Sequence, residues 1–166
     1  NRIMGAPGIL ARAMQPIVGR LSGTRSVRVL ELGAGDGGLM LRIARRVSKS
    51  WPAIELTFLD RLPLIDATRC AAFASLGWSA RPQIMDVRDW VRTPAVSEPG
   101  SPWDLIVTNL FLHHFDELQL QILLSAIAAR SNAFLACEPR RALLALAGSH
   151  LMAAIGANQV TRHDAI

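Results

Sequence analysis

Apolar positions along the chain follow two different spacings, and the change from one to the other predicts the order of elements. Short runs rich in valine, leucine and isoleucine predict strands at about 27–32, 54–60, 81–86, 103–109 and 133–138. Apolar residues three and four apart predict helices at about 38–48, 63–76, 115–130 and 140–156. Pro63 suits the first turn of its helix, and Gly77 suits the stop. Strands that alternate with helices predict an α/β fold: a doubly wound, mainly parallel sheet with helices on both faces.

A lead-in segment, residues 1–26, precedes the first strand. Its apolar residues recur at helical spacing and predict one helix ahead of the sheet; they are Ile9, Leu10, Ala13, Ile17, Val18 and Leu21. A chain of 166 residues is long enough for one core. We therefore expect a single domain, with residues 27–166 forming the part that binds a ligand.

Composition narrows the class of protein and of partner. Hydrophobic residues make up 51% and charged residues 19%, which is typical of a globular protein. The net charge of +5 comes almost entirely from arginine, and Lys49 is the one lysine. The arginines are scattered and not interleaved with aromatic residues, so nucleic acid is not an expected partner. The uncharged stretch at 142–160 contains glycine, histidine and asparagine, so we predict a buried helix and no membrane span.

The cysteines and histidines predict neither a disulfide nor a metal site. Cys70 and Cys137 lie far apart in apolar surroundings, which indicates reduced thiols and a cytoplasmic protein. His113, His114 and Asp116 are close in sequence, but no further cluster of ligand residues accompanies them.

Three alternating glycines follow the first strand directly: Gly33, Gly35 and Gly37. A strand, a glycine loop and a helix bring the backbone of an α/β protein close to a nucleotide-like ligand. Two patterns fit the loop. With Gly38, the first two glycines match the dinucleotide pattern G-x-G-x-x-G, whereas Glu31 and all three match E-x-G-x-G-x-G. An acidic Glu31 would repel a pyrophosphate and favours a ligand with positive charge.

Polar residues also end the other strands, at the edge where such sheets bind ligands. Asp60 ends the second strand, where a carboxylate can accept hydrogen bonds from ribose hydroxyls or cap the next helix. Asp86 ends the third strand, where it could hold a ligand or start a turn. Asn109 ends the fourth strand and is followed by the segment Leu110-Phe111-Leu112-His113-His114-Phe115.

Taken in order over about residues 27–140, these features resemble the class I S-adenosylmethionine-dependent methyltransferases of the small-molecule type. The resemblance implies a Rossmann-like fold, methyltransferase activity and S-adenosylmethionine as cofactor. That fold usually adds a sixth and a seventh strand, so we expect the last strands to be missing from this sequence. The cofactor-binding residues that the resemblance implies are Glu31, Gly33, Ala34, Gly35, Gly37, Asp60, Arg61, Asp86, Val87, Asn109 and Leu110.

His113 is the predicted catalytic residue. Plant-type O-methyltransferases carry a Leu-His-Asp-Trp segment at this place, and the resemblance implies that His113 acts as a general base. Histidine titrates near neutral pH and can take the proton of an acceptor hydroxyl. A cofactor-lining or structural role is the alternative.

The expected acceptor is a small apolar molecule, such as a phenol, a quinone or a polyketide, methylated on oxygen or carbon. Apolar side chains in the lead-in and around Phe111 and Phe115 favour it. One alternative is an NAD(P)-dependent oxidoreductase, which leaves Glu31 and the segment after Asn109 unexplained. A nonenzymatic methyltransferase-like module is the other, and an RNA or protein acceptor also stays open.

Overall fold

The computed structural model describes residues 5–21, 25–94 and 102–138. The predicted helix at 140–156 lies outside these residues, as do residues 95–101 of the connection between the third and fourth strands. The strands are β1 (Val27–Leu32), β2 (Ile54–Asp60), β3 (Ser79–Ile84), β4 (Leu105–Asn109) and β5 (Phe134–Cys137). The helices are α1 (Ala6–Leu21), α2 (Gly38–Val47), α3 (Ala67–Ala74), α4 (Val87–Arg92) and α5 (Glu117–Arg130).

The five strands form one parallel sheet in the order β3-β2-β1-β4-β5. The chain builds outward from β1 to β3, returns to the other side of β1 as β4, and then adds β5. The order therefore reverses between β1 and β4, where Val29 pairs with Leu105 and Leu32 pairs with Thr108. Ligands bind at such a reversal, beyond the carboxyl ends of the strands.

Helices cover both faces of the sheet, as the sequence predicted. Val27 and Val29 pack with buried residues of α1, α2 and α3, whereas Leu30 and Leu32 pack with α4 and α5. The assignment alternates because successive side chains of a strand point to opposite faces. Both faces of β1 are buried, so it reads in sequence as a nearly continuous apolar run. No helix in the described part of the chain is long and apolar enough to cross a membrane.

Two local predictions were wrong in ways that bear on the site. α3 begins at Ala67 and not near Pro63, because the Asp66 side chain accepts a hydrogen bond from Arg69 N at 2.8 Å and caps the helix there. α4 was not predicted, since six residues are too few to display a helical period. Asp86 is its N-cap and accepts from Arg88 N at 2.8 Å.

Candidate functional site

A cavity of about 440 Å³ opens at the carboxyl ends of the strands, next to the reversal between β1 and β4. Its walls come from the glycine loop after β1 and from the loops after β2, β3 and β4. Seven predicted site residues line it: Gly33, Gly35, Asp60, Arg61, Asp86, Val87 and Leu110. The structure thus brings together residues from four separate parts of the sequence.

Five predicted residues do not line this cavity: Glu31, Ala34, Gly37, Asn109 and His113. Ala34 and Gly37 shape the loop itself, since Gly37 N donates to Ala34 O at 3.0 Å and Gly37 is the N-cap of α2. Glu31 and Asn109 lie at the ends of neighbouring strands, and His113 lies in a 3-10 turn beyond β4. These five residues support the wall or lie beside it.

The loop after β1 requires glycine at the three positions of the pattern E-x-G-x-G-x-G. Gly33, Gly35 and Gly37 have φ angles of 67°, 55° and 68°, in the left-handed region that side chains disfavour. Gly38 is not in that region and begins α2. A Cβ at Gly33 would lie 2.2 Å from Phe111 Cδ2, so the ring of Phe111 packs directly on the loop. The backbone therefore matches E-x-G-x-G-x-G better than the dinucleotide pattern.

Asp60 ties the glycine loop to the end of β2. Its Oδ2 accepts from Gly35 N at 2.8 Å, and its Oδ1 accepts from Leu62 N at 3.0 Å. Each oxygen of a carboxylate has two lone pairs, so both retain capacity for a further donor. Because Asp60 also lines the cavity, it can accept hydrogen bonds from ligand hydroxyls there.

Glu31 is a buried carboxyl group with no ion pair to a cation within the described residues. Its side chain is only 2% exposed. Burial raises the pKa of Glu31 to about 8, and the nearby charges of Asp36 and Asp60 add to the effect. Glu31 Oε2 and Asn109 Oδ1 are both buried and have no hydrogen-bond partner among the residues that the structure describes. Two unpartnered acceptors at neighbouring strand ends fit a ligand group that donates hydrogen bonds and carries positive charge.

A histidine–glutamate pair lies beyond β4 and β5. His113 Nδ1 is 2.9 Å from Glu138 Oε2, and Glu138 Oε1 accepts from Phe111 N at 3.0 Å and from Leu112 N at 2.9 Å. Burial alone would raise the pKa of Glu138, but the hydrogen bonds from His113 and the two backbone N–H groups outweigh it and lower that pKa. Sequence reasoning missed Glu138. Its signal was an acidic residue directly after the fifth strand, at the edge where the other site residues lie.

Aromatic side chains form the wall nearest to this pair. His114, unlike His113, lines the cavity, and the centroids of the two imidazole rings are 4.1 Å apart. Phe111 and Phe115 line it as well, with ring centroids 5.1 Å apart. Leu110 holds a left-handed φ of 51°, which is uncommon for leucine, while its N–H donates to Cys137 O at 2.9 Å.

Neither a disulfide nor a metal-binding cluster is found within residues 5–21, 25–94 and 102–138. Cys70 and Cys137 are free and partly buried. No group of three or more histidine, cysteine, aspartate and glutamate side chains there could hold a metal ion.

No protein-family model matches the chain, and no curated protein sequence matches it. Solved structures do match. The plantazolicin methyltransferase BpumL, in complex with a monoazolic desmethylPZN analogue and SAH, is 12% identical with a TM-score of 0.54. The alignment covers 96% of this chain and 58% of BpumL. The CurJ carbon methyltransferase is 21% identical with a TM-score of 0.53, over 74% of this chain and 31% of CurJ.

A third match is the bifunctional kinase-methyltransferase WbdD, 19% identical with a TM-score of 0.52, over 76% of this chain and 28% of WbdD. The chain has the fold of these methyltransferases. It spans between about a quarter and three fifths of the length of the three proteins. The fold that the sequence predicted is confirmed, and at these identities the likeness concerns the fold alone.

Proposed function

We propose that this protein is an S-adenosylmethionine-dependent methyltransferase that acts on a small, apolar acceptor by O- or C-methylation. The observation that carries the proposal is the cavity at the strand reversal, where Gly33, Gly35, Asp60 and Asp86 meet. The methyltransferase fold of the chain supports it. The free thiols of Cys70 and Cys137 support a cytoplasmic location.

The residues present fit this cofactor. Asp60 would accept from the ribose hydroxyls, and Asp86 with the backbone of Val87 would hold the adenine ring. Glu31 and Asn109 do not line the cavity but lie beside it, and their unpartnered acceptor oxygens would suit an ammonium group. A bound cation would stabilise the ionised form of Glu31 and so lower its pKa. Arg61 and Leu110 complete the wall.

When bound, the cofactor supplies a methyl group made electrophilic by a positively charged sulfur. Few side chains then need to take part in the chemistry. The main task of the protein is to hold the acceptor in line with the methyl group and to exclude water. The apolar part of the cavity wall suits an apolar acceptor; Met85, Leu110, Phe111 and Phe115 form it.

His113 would remove the proton of the acceptor. Glu138 has a lowered pKa and is ionised at neutral pH, so it can only accept a hydrogen bond. The proton of a neutral His113 therefore lies on Nδ1, facing Glu138 Oε2, and Nε2 keeps a free lone pair. In this proposal Nε2 is the base, and Glu138 positions the ring.

Calorimetric titration with S-adenosylhomocysteine and, separately, with NADH tests the cofactor class. We expect micromolar binding of the first and none of the second. Asp60→Ala should weaken binding by roughly 1.5–3 kcal/mol, because a charged hydrogen-bond acceptor is lost. Asp89→Ala is the matched control, since Asp89 is exposed on α4 and pairs with Arg92. Binding of NADH alone, or an equal loss in both variants, would contradict the proposal.

Measuring turnover with a panel of phenols and quinols tests whether His113 acts as the base. His113→Ala should lower turnover by about 10²–10⁴-fold with little change in cofactor affinity. His114→Ala is the comparison, because that ring lines the cavity but makes no contact with Glu138. Equal activity of wild type and His113→Ala across neutral pH would exclude the role.

A further inference from the structure

A second cavity, of about 330 Å³, lies at the opposite edge of the sheet, near the amino-terminal ends of β1, β2 and β3. It shares no lining residue with the first cavity. Its polar side chains are those of Arg28, Glu55, Thr57, Ser79, Arg81 and Trp103. None of these residues has a part in the proposed methyl transfer.

Trp103 is a buried residue in the wall of this cavity. It is 1% exposed, and its Nε1 has no hydrogen-bond partner among the described residues. Because less than 1 Å² of Nε1 is accessible, the indole does not donate to a ligand in the cavity, but it lies close enough to report on one. The guanidinium of Arg28 lies over the same indole, with Cζ 4.6 Å from the ring centroid.

Arg81 adds a second guanidinium with donors to spare. Its Nε donates to the buried Thr57 Oγ1 at 3.0 Å, which fixes the side chain against the sheet. Its two terminal nitrogens make no hydrogen bond or ion pair with the residues that the structure describes. A guanidinium held in this way presents a planar pair of N–H groups, the arrangement that binds carboxylate and phosphate oxygens.

The balance of charge also favours an anion. Glu55 is the one carboxylate among the described lining residues, and it is already engaged: Oε1 accepts from Ser26 Oγ, and Oε2 is 4.0 Å from Arg28 Nε. Arg28 and Arg81 therefore leave the cavity with one more cation than anion. The hydroxyls of Thr57 and Ser79 add polar groups that can serve the same ligand.

We propose that this cavity binds the oxyanion group, phosphate or carboxylate, of a small molecule, with the terminal nitrogens of Arg81 as donors. The volume is at the lower end of the range of small-molecule sites, about 300–1,000 Å³. Thr57 precedes Asp60 by three residues on β2, which is about 10 Å along the strand. The two cavities are separate sites, and the second does not depend on the first being a methyltransferase centre.

The indole N–H signal of Trp103 in a ¹H–¹⁵N spectrum of the whole chain tests the proposal. Trp103→Phe identifies the signal among those of the four tryptophans. The chain is titrated with inorganic phosphate and, separately, with acetate, at constant ionic strength held with sodium chloride. We expect a saturable shift of the Trp103 signal with at least one of them. Phosphate alone would indicate a phosphate ester as the natural ligand, and acetate alone a carboxylate.

Two variants test whether Arg81 is required for anion binding in this cavity. Arg81→Gln should weaken the binding at least about tenfold, and Arg81→Lys should keep part of it because the charge remains. Arg92→Gln is the matched control, since Arg92 is exposed on α4 and pairs with Asp89, and it should titrate as wild type does. The proposal is overturned by the absence of a shift, by an equal shift in Arg81→Gln, or by an equal shift with chloride, which marks an adventitious ion only.

Discussion

Two buried carboxylates on neighbouring strands have opposite surroundings. Glu31 lies at the carboxyl end of β1 and is 2% exposed; Asp104 directly precedes β4 and is 1% exposed. Arg25 binds both oxygens of Asp104, at 2.7 and 2.6 Å, and Arg28 N donates to Oδ2 at 2.9 Å. Burial alone would raise the pKa of Asp104, but these hydrogen bonds outweigh it and lower that pKa. Glu31 has no such cation, and its pKa is about 8.

The difference separates a carboxylate that the protein itself satisfies from one that the described residues leave without a partner. Burial costs both carboxylates their hydration, and at Asp104 the protein itself replaces it. That pair joins the start of β1 to the start of β4 and needs no ligand. At Glu31 no group in the described part of the chain replaces that hydration, and the carboxyl group keeps its proton up to about pH 8 instead. A buried carboxyl group whose ionised form has no partner is therefore the better marker of a binding site.

Of the substitutions that test this comparison, replacing Glu31 should change the free energy of unfolding most. Its folded-state pKa is raised, so the folded protein keeps a proton that the unfolded chain releases above about pH 4.5. The free energy of unfolding should therefore fall as the pH rises from about 4.5 to about 8. Glu31→Gln removes this fall, so we expect it to be more stable than wild type above pH 8 by on the order of 3–5 kcal/mol.

Urea unfolding at a series of pH values measures the effect. Glu55→Gln is the control, since that side chain is half exposed on β2 and lies away from the cavity that Glu31 adjoins. Parallel slopes in wild type and Glu31→Gln would mean that the ionised form of Glu31 already has a partner within the protein. The comparison with Asp104 would then fail. If the stabilised variant also loses affinity for S-adenosylhomocysteine, the functional role of Glu31 gains support.

Substitutions in the glycine loop should have an intermediate effect on the free energy of unfolding, and Gly35 serves as the control for Gly33. Gly33→Ala meets both a positive φ and the ring of Phe111, so we expect a loss of about 2–4 kcal/mol in the free energy of unfolding. Gly35→Ala meets a positive φ but no atom within 4 Å, and it should cost about 1–2 kcal/mol. Adding Phe111→Ala should remove much of the penalty at Gly33 in a double-mutant cycle. A full penalty in the double variant would place the strain in the backbone alone.

Replacing Asp104 should give the smallest of the three effects, because Arg25 is half exposed and its pair is partly screened. Asp104→Asn should destabilise the protein by about 1–3 kcal/mol near neutral pH. The folded-state pKa of Asp104 is lowered, so its contribution is present above the ordinary aspartate range and disappears as the pH falls through the folded value. Unfolding curves of wild type and variant should therefore converge in acid. Asp89→Asn, at an exposed ion pair, should change stability by less than about 0.5 kcal/mol.

The central strands were predictable from sequence because they are buried on both faces. β1 and β2 have the bounds that the apolar runs predict, 27–32 and 54–60. β3 starts two residues earlier than predicted and is largely exposed, so no apolar run marks its ends. Asp66 and Asp86 turned out to be helix caps, a role that depends on the backbone around them as much as on residue type.

The loops of the candidate site were predictable from strand ends, but their long-range partners were not. Gly33, Asp60 and Asp86 meet because the strands are parallel and in a fixed order. Glu138 contacts His113 across 25 residues, and no periodicity encodes that contact. The second cavity was not predicted for the same reason. Arg28, Arg81 and Trp103 are far apart in sequence and line one cavity only once the sheet has formed.

Glu138 has a consequence for how a catalytic cycle could run. One carboxylate holds the backbone of Phe111 and Leu112 and also the ring of His113. Any movement that lifts this segment to admit an acceptor breaks all three contacts together, and His113 then loses the partner that fixes its tautomer. Entry and activation are thus thermodynamically linked. Under the proposed function, His113 would therefore be positioned to accept a proton only while this segment is in place.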